Sequence, residues 1–431
     1  MMDNKFSYIE QSSKGRSVAF VTLGCKLNFS ETSAISRQFI FAGYEKVSSS
    51  KAADVYVINT CSVTEHADKK CRQTIRKLEK LNKNAIIVVT GCYAQLKPNE
   101  ILEIEGVDLV VGTNQKGNIP ELLSNITKKL DKGRSFSSTI KEMTNIFPAY
   151  SQGERTRSFL KIQDGCSYNC SYCTIPLARG ESRSLSIDTV LNEARSIASS
   201  GVKEIVITGV NTGDFGRNTG EKFLDLLKYL NDIEGIERYR ISSIEPNLLN
   251  EEIINWIASG TKFQNHFHIP LQSGCDKILA LMRRRYNTKV FSDKISMIRS
   301  IMGDVFFGID VIVGFPNESD SDFMQTYNFI KETISPAFIH VFPFSARPNT
   351  IAATMDNQVK DNIKTIRTSK LTTLSEELHK TYCERFKGTK QLVLFESSQK
   401  GGMMFGYTGN YIRVERPYNK ELIGKISEIM L

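Results

Sequence analysis

Three thiols in one short stretch constrain this chain more than anything else in it: Cys166, Cys170 and Cys173 stand at Cys-x3-Cys-x2-Cys spacing between Ile162 and Pro176. Three thiolates on one loop can hold three corners of a cubane 4Fe-4S cluster, whereas a saturated cluster takes four cysteines and a structural zinc site takes four ligands. Such a set leaves one iron open. No His or further Cys follows nearby to close the site, and Pro176 limits any helix after the last ligand. The alternatives are a zinc knuckle completed from a distance and a group of buried cysteines.

Upstream, three strand-like runs each end on a cysteine: Val18 to Cys25, Val55 to Cys61 and Ile86 to Cys92. A fourth, Val107 to Val111, ends on Gly112. Helix-like segments Glu31 to Phe41, Glu65 to Leu81 and Pro98 to Ile104 lie between them, so the pattern is β-α-β-α and predicts a doubly wound parallel sheet. C-terminal strand ends gather along one edge of such a sheet. Cys25, Cys61 and Cys92 should therefore converge, as a second three-cysteine cluster site and not as core filler. Cys71, Cys275 and Cys383 stand apart and read as small hydrophobes. The Glu65 to Lys83 segment is strongly basic and reads either as a phosphate-tracking surface or as a solvated helix face.

After a polar connector, Lys132 to Arg155, the alternation resumes. Strand candidates are Phe159 to Gln163, Glu204 to Thr208, Arg238 to Ser242, His266 to Pro270, Phe306 to Val313 and Ala337 to Phe342, with helix candidates between them. Six β-α units predict an open (β/α)6 barrel with its site at the C-terminal strand ends. Those ends are chemically loaded. Gly209 and Asn211 follow the second strand, where glycine lets backbone approach a ligand. Ser243 and Glu245 follow the third and suit a ribose, Gln272 follows the fourth, and Asp310 lies within the fifth, where a carboxylate among apolar residues needs a partner. Arg179 and Arg183, just past the thiol loop, suit a carboxylate or phosphate. Arg283, Arg284 and Arg285 read as RNA-phosphate contacts or as a cationic helix end. His266 and His268 read as satisfied strand residues.

Val359, Ile363, Ile366, Leu371, Leu374, Leu378 and Tyr382 keep near-helical spacing, which predicts a long helix docked on the barrel. From Phe386 the character changes to short strands, Gln391 to Glu396, Met403 to Tyr407, Tyr411 to Val414 and Glu421 to Ile426, punctuated by Gly401-Gly402 and Gly409-Asn410. Phe405 and Tyr411 beside Arg413 fit base stacking with phosphate contact.

Composition narrows the class. A chain of 431 residues exceeds one ordinary domain, and 40% hydrophobic with 24% charged residues is normal for a globular protein. Apolar runs are only strand-length, so no membrane span is expected, and the polar start shows no secretory signal. Nine cysteines, an odd number partly in cluster spacing, read as metal ligands in a reducing cytosol. A net charge of +9 permits a polyanionic partner without establishing one.

The thiol loop, with Tyr172 immediately before its third cysteine, resembles the radical S-adenosylmethionine (SAM) superfamily. The resemblance implies that the open iron takes the amino and carboxylate groups of SAM and that the catalytic cluster sits on Cys166, Cys170 and Cys173. It further implies reductive cleavage of SAM to a 5'-deoxyadenosyl radical, with Tyr172 near the adenine. Gly24-Cys25-Lys26-Leu27-Asn28-Phe29-Ser30-Glu31, Asn59-Thr60-Cys61 and Thr90-Gly91-Cys92 resemble the N-terminal domain of the methylthiotransferases. This implies an auxiliary 4Fe-4S cluster on Cys25, Cys61 and Cys92 that carries the sulfur to be inserted. The tail resembles the TRAM module, a small β-barrel that binds tRNA. The expected domains are thus a methylthiotransferase N-terminal domain at 17–132, a radical SAM barrel with trailing helix at 156–385 and a TRAM domain at 386–431.

Within the family, Gly24 to Asn28, Ile175-Pro176-Leu177-Ala178-Arg179-Gly180 and Met282-Arg283-Arg284-Arg285-Tyr286 are most similar to the branch that methylthiolates C2 of N6-threonylcarbamoyladenosine beside the tRNA anticodon. That branch implies two 4Fe-4S clusters, SAM, a tRNA anticodon stem-loop as partner, no DNA, and an electron donor such as flavodoxin or ferredoxin. A sister enzyme acting on isopentenyladenosine or on a ribosomal-protein aspartate is the nearer alternative, and a non-catalytic tRNA-binding iron-sulfur protein the more distant one. Asn349-Thr350 departs from the usual Gly-Thr, and Asn tolerates the left-handed backbone that such a turn needs.

Overall fold

The computed structural model describes residues 15–124, 126, 128 and 133–431. The start read as free of an export signal, up to residue 14, and the expected domain limit at Lys132 lie outside the described residues. The chain forms two compact units. The first comprises the described residues up to Ser151 with Asp164–Tyr168 and Thr174–Leu185, and the second comprises Gln152–Gln163, Asn169–Cys173 and Ser186–Leu431.

In the first unit the order is β1 (Ser17–Thr22), α1 (Lys26–Phe41), β2 (Glu45–Lys46), β3 (Val55–Thr60), α2 (Glu65–Leu81), β4 (Ile86–Gly91), α3 (Cys92–Leu96), α4 (Pro98–Leu102), β5 (Val107–Val111), α5 (Ile119–Ser124), β6 (Arg134–Phe136) and, from the later segment, α6 (Ile175–Arg179). The strands form one parallel sheet in the order β2-β1-β3-β4-β5-β6. Alternation along each strand feeds two cores. Ile87 and Val89 pack with Cys71, Ile75 and Leu78 of α2, while Ile86 and Val88 pack with Ile35 and Phe39 of α1 and with Ile119 of α5. Each such fully buried aliphatic side chain contributes about 1.5–3 kcal/mol. The sheet is therefore doubly wound, as expected, with two additional short edge strands. Strand β6 pairs with β5, which draws part of the expected connector into this unit.

Two helices depart from expectation. The first begins at Lys26, not Glu31, so Cys25 becomes its N-cap. The third, expected over Pro98 to Ile104, runs Pro98–Leu102 and is preceded by an additional five-residue helix at Cys92–Leu96, which ends before Pro98. On α2, Lys69, Lys70, Arg76, Lys77 and Lys80 face solvent, which agrees with the solvated-face reading.

The second unit runs β7 (Ser158–Lys161), α7 (Ile187–Ser199), β8 (Glu204–Thr208), α8 (Phe223–Asn231), β9 (Arg238–Ile241), α9 (Glu251–Ala258), β10 (His266–Gln272), α10 (Asp276–Leu281), α11 (Thr288–Met302), β11 (Phe306–Val313), α12 (Asp320–Asn328), β12 (Phe338–Pro343) and α13 (Asp361–Glu384). Ser186, Asn250, Asn287 and Ser319 cap the helices they precede, and caps of this kind contribute about 1 kcal/mol each. Strands β9-β8-β7 and β10-β11-β12 form two parallel sheets, joined by bridges Tyr239 to Phe263 and Ser243 to His268. Six parallel strands thus alternate with helices in this unit, as an α/β fold. Helix α13 covers the exposed edge of β12: Ser375 Oγ accepts from Ile339 N at 2.9 Å and donates to Ile339 O at 3.2 Å, which removes an unpaired edge.

The tail is a four-stranded antiparallel sheet of β13 (Lys390–Lys400), β14 (Met403–Thr408), β15 (Arg413–Pro417) and β16 (Ile426–Met430) in the order β15-β14-β13-β16, around Val393, Phe395, Met404 and Val414. The expected strand at Glu421 to Ile426 is displaced. Asn419 caps a single turn at Lys420–Leu422, and the strand forms after Gly424. No described helix is long and apolar enough to cross a membrane.

Candidate active site

In the first unit, the three cysteines sit where the parallel strands end. Cys25 is the N-cap residue of the sixteen-residue α1, Cys61 follows β3, and Cys92 opens α3 after β4. Two glycines let them approach. A Cβ on Gly24, at φ +106, would fall 2.6 Å from Cys61 Cβ and 3.1 Å from its sulfur; one on Gly91, at φ +104, would fall 2.4 Å from Thr60 O. Buried Asn28 ties the loops together, its Nδ2 donating to Leu23 O at 2.8 Å and to Thr60 O at 2.9 Å. Asn59 Nδ2 donates back to Asn28 O at 3.0 Å. Burial, reinforced by Cys92 and Cys25, pushes the Cys61 thiol up to about 12, while Arg179 pulls it the other way. The Cys61 thiol thus feels both other cysteines, and binding iron would supply the deprotonation that its burial resists.

Beneath them lies a buried ionic group that sequence reasoning did not find. Arg179 Nη1 donates to Glu31 Oε1 at 3.0 Å and to Asp164 Oδ1 at 2.9 Å, and its Nη2 donates to Asn28 Oδ1 at 2.7 Å. Lys116 Nζ donates to Glu31 Oε2 at 2.5 Å. Two cations and two carboxylates balance within a dry interior. Burial pulls the Lys116 ammonium below its ordinary range against the pull of Glu31. The expectation that Arg179 receives a ligand carboxylate is corrected, because its guanidinium is committed to protein acceptors. Arg183 donates through Nη1 to Glu181 O at 2.9 Å, but its buried Nε has no hydrogen-bond partner among the described residues and remains a donor in reserve. Cys166 also lies in this unit, where its amide donates to Gly180 O at 3.0 Å and its sulfur accepts from Tyr168 N at 3.4 Å.

Cys170, Tyr172 and Cys173 belong to the second unit. Their segment is pinned by Ser171, whose Oγ donates to Leu281 O at 2.7 Å and whose amide donates to Met282 O at 3.1 Å. Tyr172 packs edge-on to Phe315 with centroids 6.3 Å apart. Arg284 overturns its RNA-contact reading. It is turned inward, donating to Cys170 Sγ at 3.2 Å, pairing with Glu245 and lying over Tyr286 at 4.9 Å. Burial raises the Cys170 thiol while Arg284 opposes the rise, so the arginine favours the thiolate needed for iron. Arg283 and Arg285 remain exposed.

Around this loop the strand ends offer donors and acceptors. Gln163 Oε1 accepts from Val210 N at 2.9 Å and Asn211 N at 3.0 Å, so the backbone beside Gly209 is taken by a protein side chain and not left for a ligand. Asn211 Oδ1 accepts from Glu245 N at 3.3 Å, while its buried Nδ2 has no partner among the described residues; nor has Gln272 Oε1, whose residue sits at φ +66. Ser243 bridges to His268. Asp310 finds the partner that its apolar strand demands in His268 Nε2, at 2.7 Å. Of the remaining cysteines, Cys71 packs as a small hydrophobe with Ile75 and Leu78, whereas Cys275, beside Ile278 and Phe315, also donates its thiol to Asp322 Oδ1 at 3.4 Å and Cys383 has its sulfur 3.6 Å from His379 Nε2. Asn349 adopts φ +64, so the left-handed turn survives the Gly to Asn departure.

Fit to the implied groups rests on these donor sets. Three cysteines at neighbouring strand ends suit an iron-sulfur cluster, and unpartnered Asn211 Nδ2 and Gln272 Oε1 near the second thiol loop suit a zwitterionic ligand such as SAM.

In the tail, Arg413 lies 3.9 Å over the Phe405 ring and both reach solvent at least in part. Tyr411 does not serve as a free stacking platform. It packs against His266 at 4.8 Å and Phe306 at 5.6 Å and accepts from Arg157 at 3.2 Å. It belongs to a dock between the tail and the N-terminal strand ends, where buried Glu204 holds Arg240 at 2.7 Å and Arg240 Nη2 donates to Thr408 O at 2.7 Å.

Residues 17–112 match the family described as "Uncharacterized protein family UPF0004", and residues 160–330 match the radical SAM superfamily. The chain is 40% identical, over 96% of its length and 93% of the relative's, to the threonylcarbamoyladenosine tRNA methylthiotransferase MtaB of Bacillus subtilis. It is 31% identical, over 95% of both chains, to a tRNA-2-methylthio-N(6)-dimethylallyladenosine synthase of a Hydrogenobaculum species. Among solved structures it resembles the radical SAM methyltransferase TsrM of Kitasatospora setae, with a TM-score of 0.57 and 13% identity over 78% of this chain and 77% of that one, a likeness of fold. The chain belongs to the radical SAM methylthiotransferase family, on its MtaB-type branch.

Proposed function

We propose that this protein methylthiolates C2 of N6-threonylcarbamoyladenosine beside the anticodon of tRNA. The observation that carries the substrate is the 40% identity to an MtaB relative along 93% of that relative, against 31% to the dimethylallyladenosine enzyme. When bound, the two 4Fe-4S clusters and SAM supply the one-electron chemistry and the sulfur. C2 bears no acidic proton, so acid-base catalysis is a poor substitute.

The chain's own residues bind and orient. Cys166, Cys170 and Cys173 would hold the SAM-side cluster, with Arg284 favouring the Cys170 thiolate and fixing Glu245. Asn211 and Gln272 offer a free donor and acceptor to SAM, and Tyr172 is the adenine-side aromatic. Cys25, Cys61 and Cys92 would hold the auxiliary cluster above the Glu31, Lys116, Arg179 and Asp164 group, which makes that floor rigid and dry. The tail acts as a TRAM-like RNA module through Phe405 and Arg413, joined by exposed Arg283 and Arg285. A flavodoxin or ferredoxin delivers electrons in the cytosol.

The test is mass spectrometry of tRNA nucleosides from a deletion strain. Loss of the 2-methylthio form with accumulation of N6-threonylcarbamoyladenosine is expected. An unchanged 2-methylthio-threonylcarbamoyladenosine content, or loss of the isopentenyl counterpart instead, would contradict the substrate.

A further inference from the structure

The inner face of β10, β11 and β12 carries a polar group that neither cluster site uses. His268, Asp310 and His340 come from three adjacent parallel strands, and their ligand-type atoms all lie within 4.8 Å of one another. His268 Nε2 is 2.7 Å from Asp310 Oδ1, and the His268 and His340 rings stack with centroids 5.0 Å apart at 22°. Register sets Asp310 opposite His340 and Gly308 opposite His268. The three alternate with buried Ile269, Ile309, Val311 and Ile339, so they share the face turned away from the helices. That face is open: the His268 and Asp310 side chains are 21% and 19% exposed, and His340 is exposed.

The group adjoins the SAM-side residues. Ser243 bridges to His268, Ile244 N donates to His268 O at 3.1 Å, and the Asp310 charge reaches Glu245. A ligand held there therefore lies along the same wall as the strand ends assigned to SAM.

Chemistry narrows the occupant. Covering two imidazoles and a carboxylate with an apolar ligand leaves polar groups unmade, each at about 1–3 kcal/mol. A site built for hydrogen bonding rejects an analogue that lacks the matching groups. The N6 substituent of threonylcarbamoyladenosine brings a carboxylate, a hydroxyl and a ureido N–H, whereas an isopentenyl substituent brings none. We propose that His268, Asp310 and His340 form the subsite that receives the carbamoyl-threonine substituent and sets the choice of substrate against an apolar one. Imidazole N–H groups donate to the carboxylate or hydroxyl, and Asp310 holds His268 in register. The inference rests on the substrate assigned above and revises the reading of His268 as a merely satisfied strand residue.

The test is binding of fluorescent anticodon stem-loop RNA to the full-length, reconstituted protein. Three RNAs are compared, carrying threonylcarbamoyladenosine, isopentenyladenosine or unmodified adenosine. The unaltered protein should prefer the first over the second, and His340→Ala and His268→Asn should each reduce that preference roughly 5- to 150-fold, the equivalent of one unmade group. Affinity for the unmodified RNA should change by less than about twofold, which also reports that the variants are folded. Preference retained in both variants would overturn the subsite while leaving the substrate intact. No preference in the unaltered protein would overturn both. Preference that disappears on chelation and returns with zinc would make the triad a metal site and overturn direct recognition.

Discussion

Replacing Gly24 by Ala tests the auxiliary-site geometry at its tightest point. Gly24 sits at φ +106, a conformation that costs an L-residue about 1–2 kcal/mol. Its new methyl would also fall 2.6 Å from Cys61 Cβ, where carbon atoms are content at about 3.5–4.0 Å. The loop must retreat by about an ångström, at an overpacking cost of about 1–3 kcal/mol. Together these give about 2–5 kcal/mol against the arrangement that juxtaposes Cys25 and Cys61, or roughly 30- to 4000-fold in its population. Anaerobic reconstitution followed by iron and sulfide analysis reads the outcome. The parent should hold about eight irons per chain and the variant should fall toward about four, with the SAM-side cluster kept. Gly153→Ala is the control, since Gly153 has φ +81 but nothing within 4 Å of a Cβ, so it carries the backbone strain without the clash. A Gly24→Ala protein that still holds about eight irons with an unaltered spectrum would refute the reasoning.

Arg284 and Arg413 should fail differently. Arg284→Ala, which uncovers Cys170 and Glu245, should weaken the SAM-side cluster without altering the salt dependence of tRNA binding, whereas Arg413→Ala should reduce the slope of log affinity against log salt by about 1 and leave both clusters in place. Glu204→Gln leaves Arg240, Arg157 and Arg238 without their buried counter-charge, and breaking such a set costs about 3–5 kcal/mol. Limited proteolysis should then release the tail near Phe386 at protease levels that leave the parent whole. Asp322 is opposed by burial but held below its ordinary range by Lys277 and Ser319, so its contribution is full above the usual carboxylate range and is lost as pH falls through and below it. Asp322→Asn should therefore cost about 1 kcal/mol near neutrality, on the scale of a capping box, with the gap to the parent closing in acid, as read by denaturant unfolding across pH.

What could be read from the chain alone followed from local pattern. Ile205 to Ile207 is apolar between Glu204 and Thr208, Phe306 to Val313 is apolar apart from Gly308 and Asp310, and both runs form strands over the expected residues. Cys25, Cys61 and Cys92 were legible because a parallel sheet sends equivalent strand ends to one edge. Side-chain direction was not legible. Arg179, Arg284 and Tyr411 have the residue types that bind ligands or RNA, yet each is consumed internally by partners distant in sequence, Glu31, Glu245 and His266 respectively. Glu31 stood inside a recognised motif, but its buried pairing with Lys116 depends on a loop 85 positions away, which no spacing rule reaches. The two-residue strand at Glu45 was similarly invisible, because edge pairing and not propensity defines it.

The most direct test of the central claim is a single-turnover reaction. Reconstituted protein, SAM, dithionite and a stem-loop carrying N6-threonylcarbamoyladenosine are combined, and the nucleosides and 5'-deoxyadenosine are measured together. The account predicts that the substrate nucleoside gains a methylthio group in place of the C2 hydrogen and that 5'-deoxyadenosine appears with it, both abolished by Cys170→Ala. Formation of 5'-deoxyadenosine without any change in that nucleoside would contradict it.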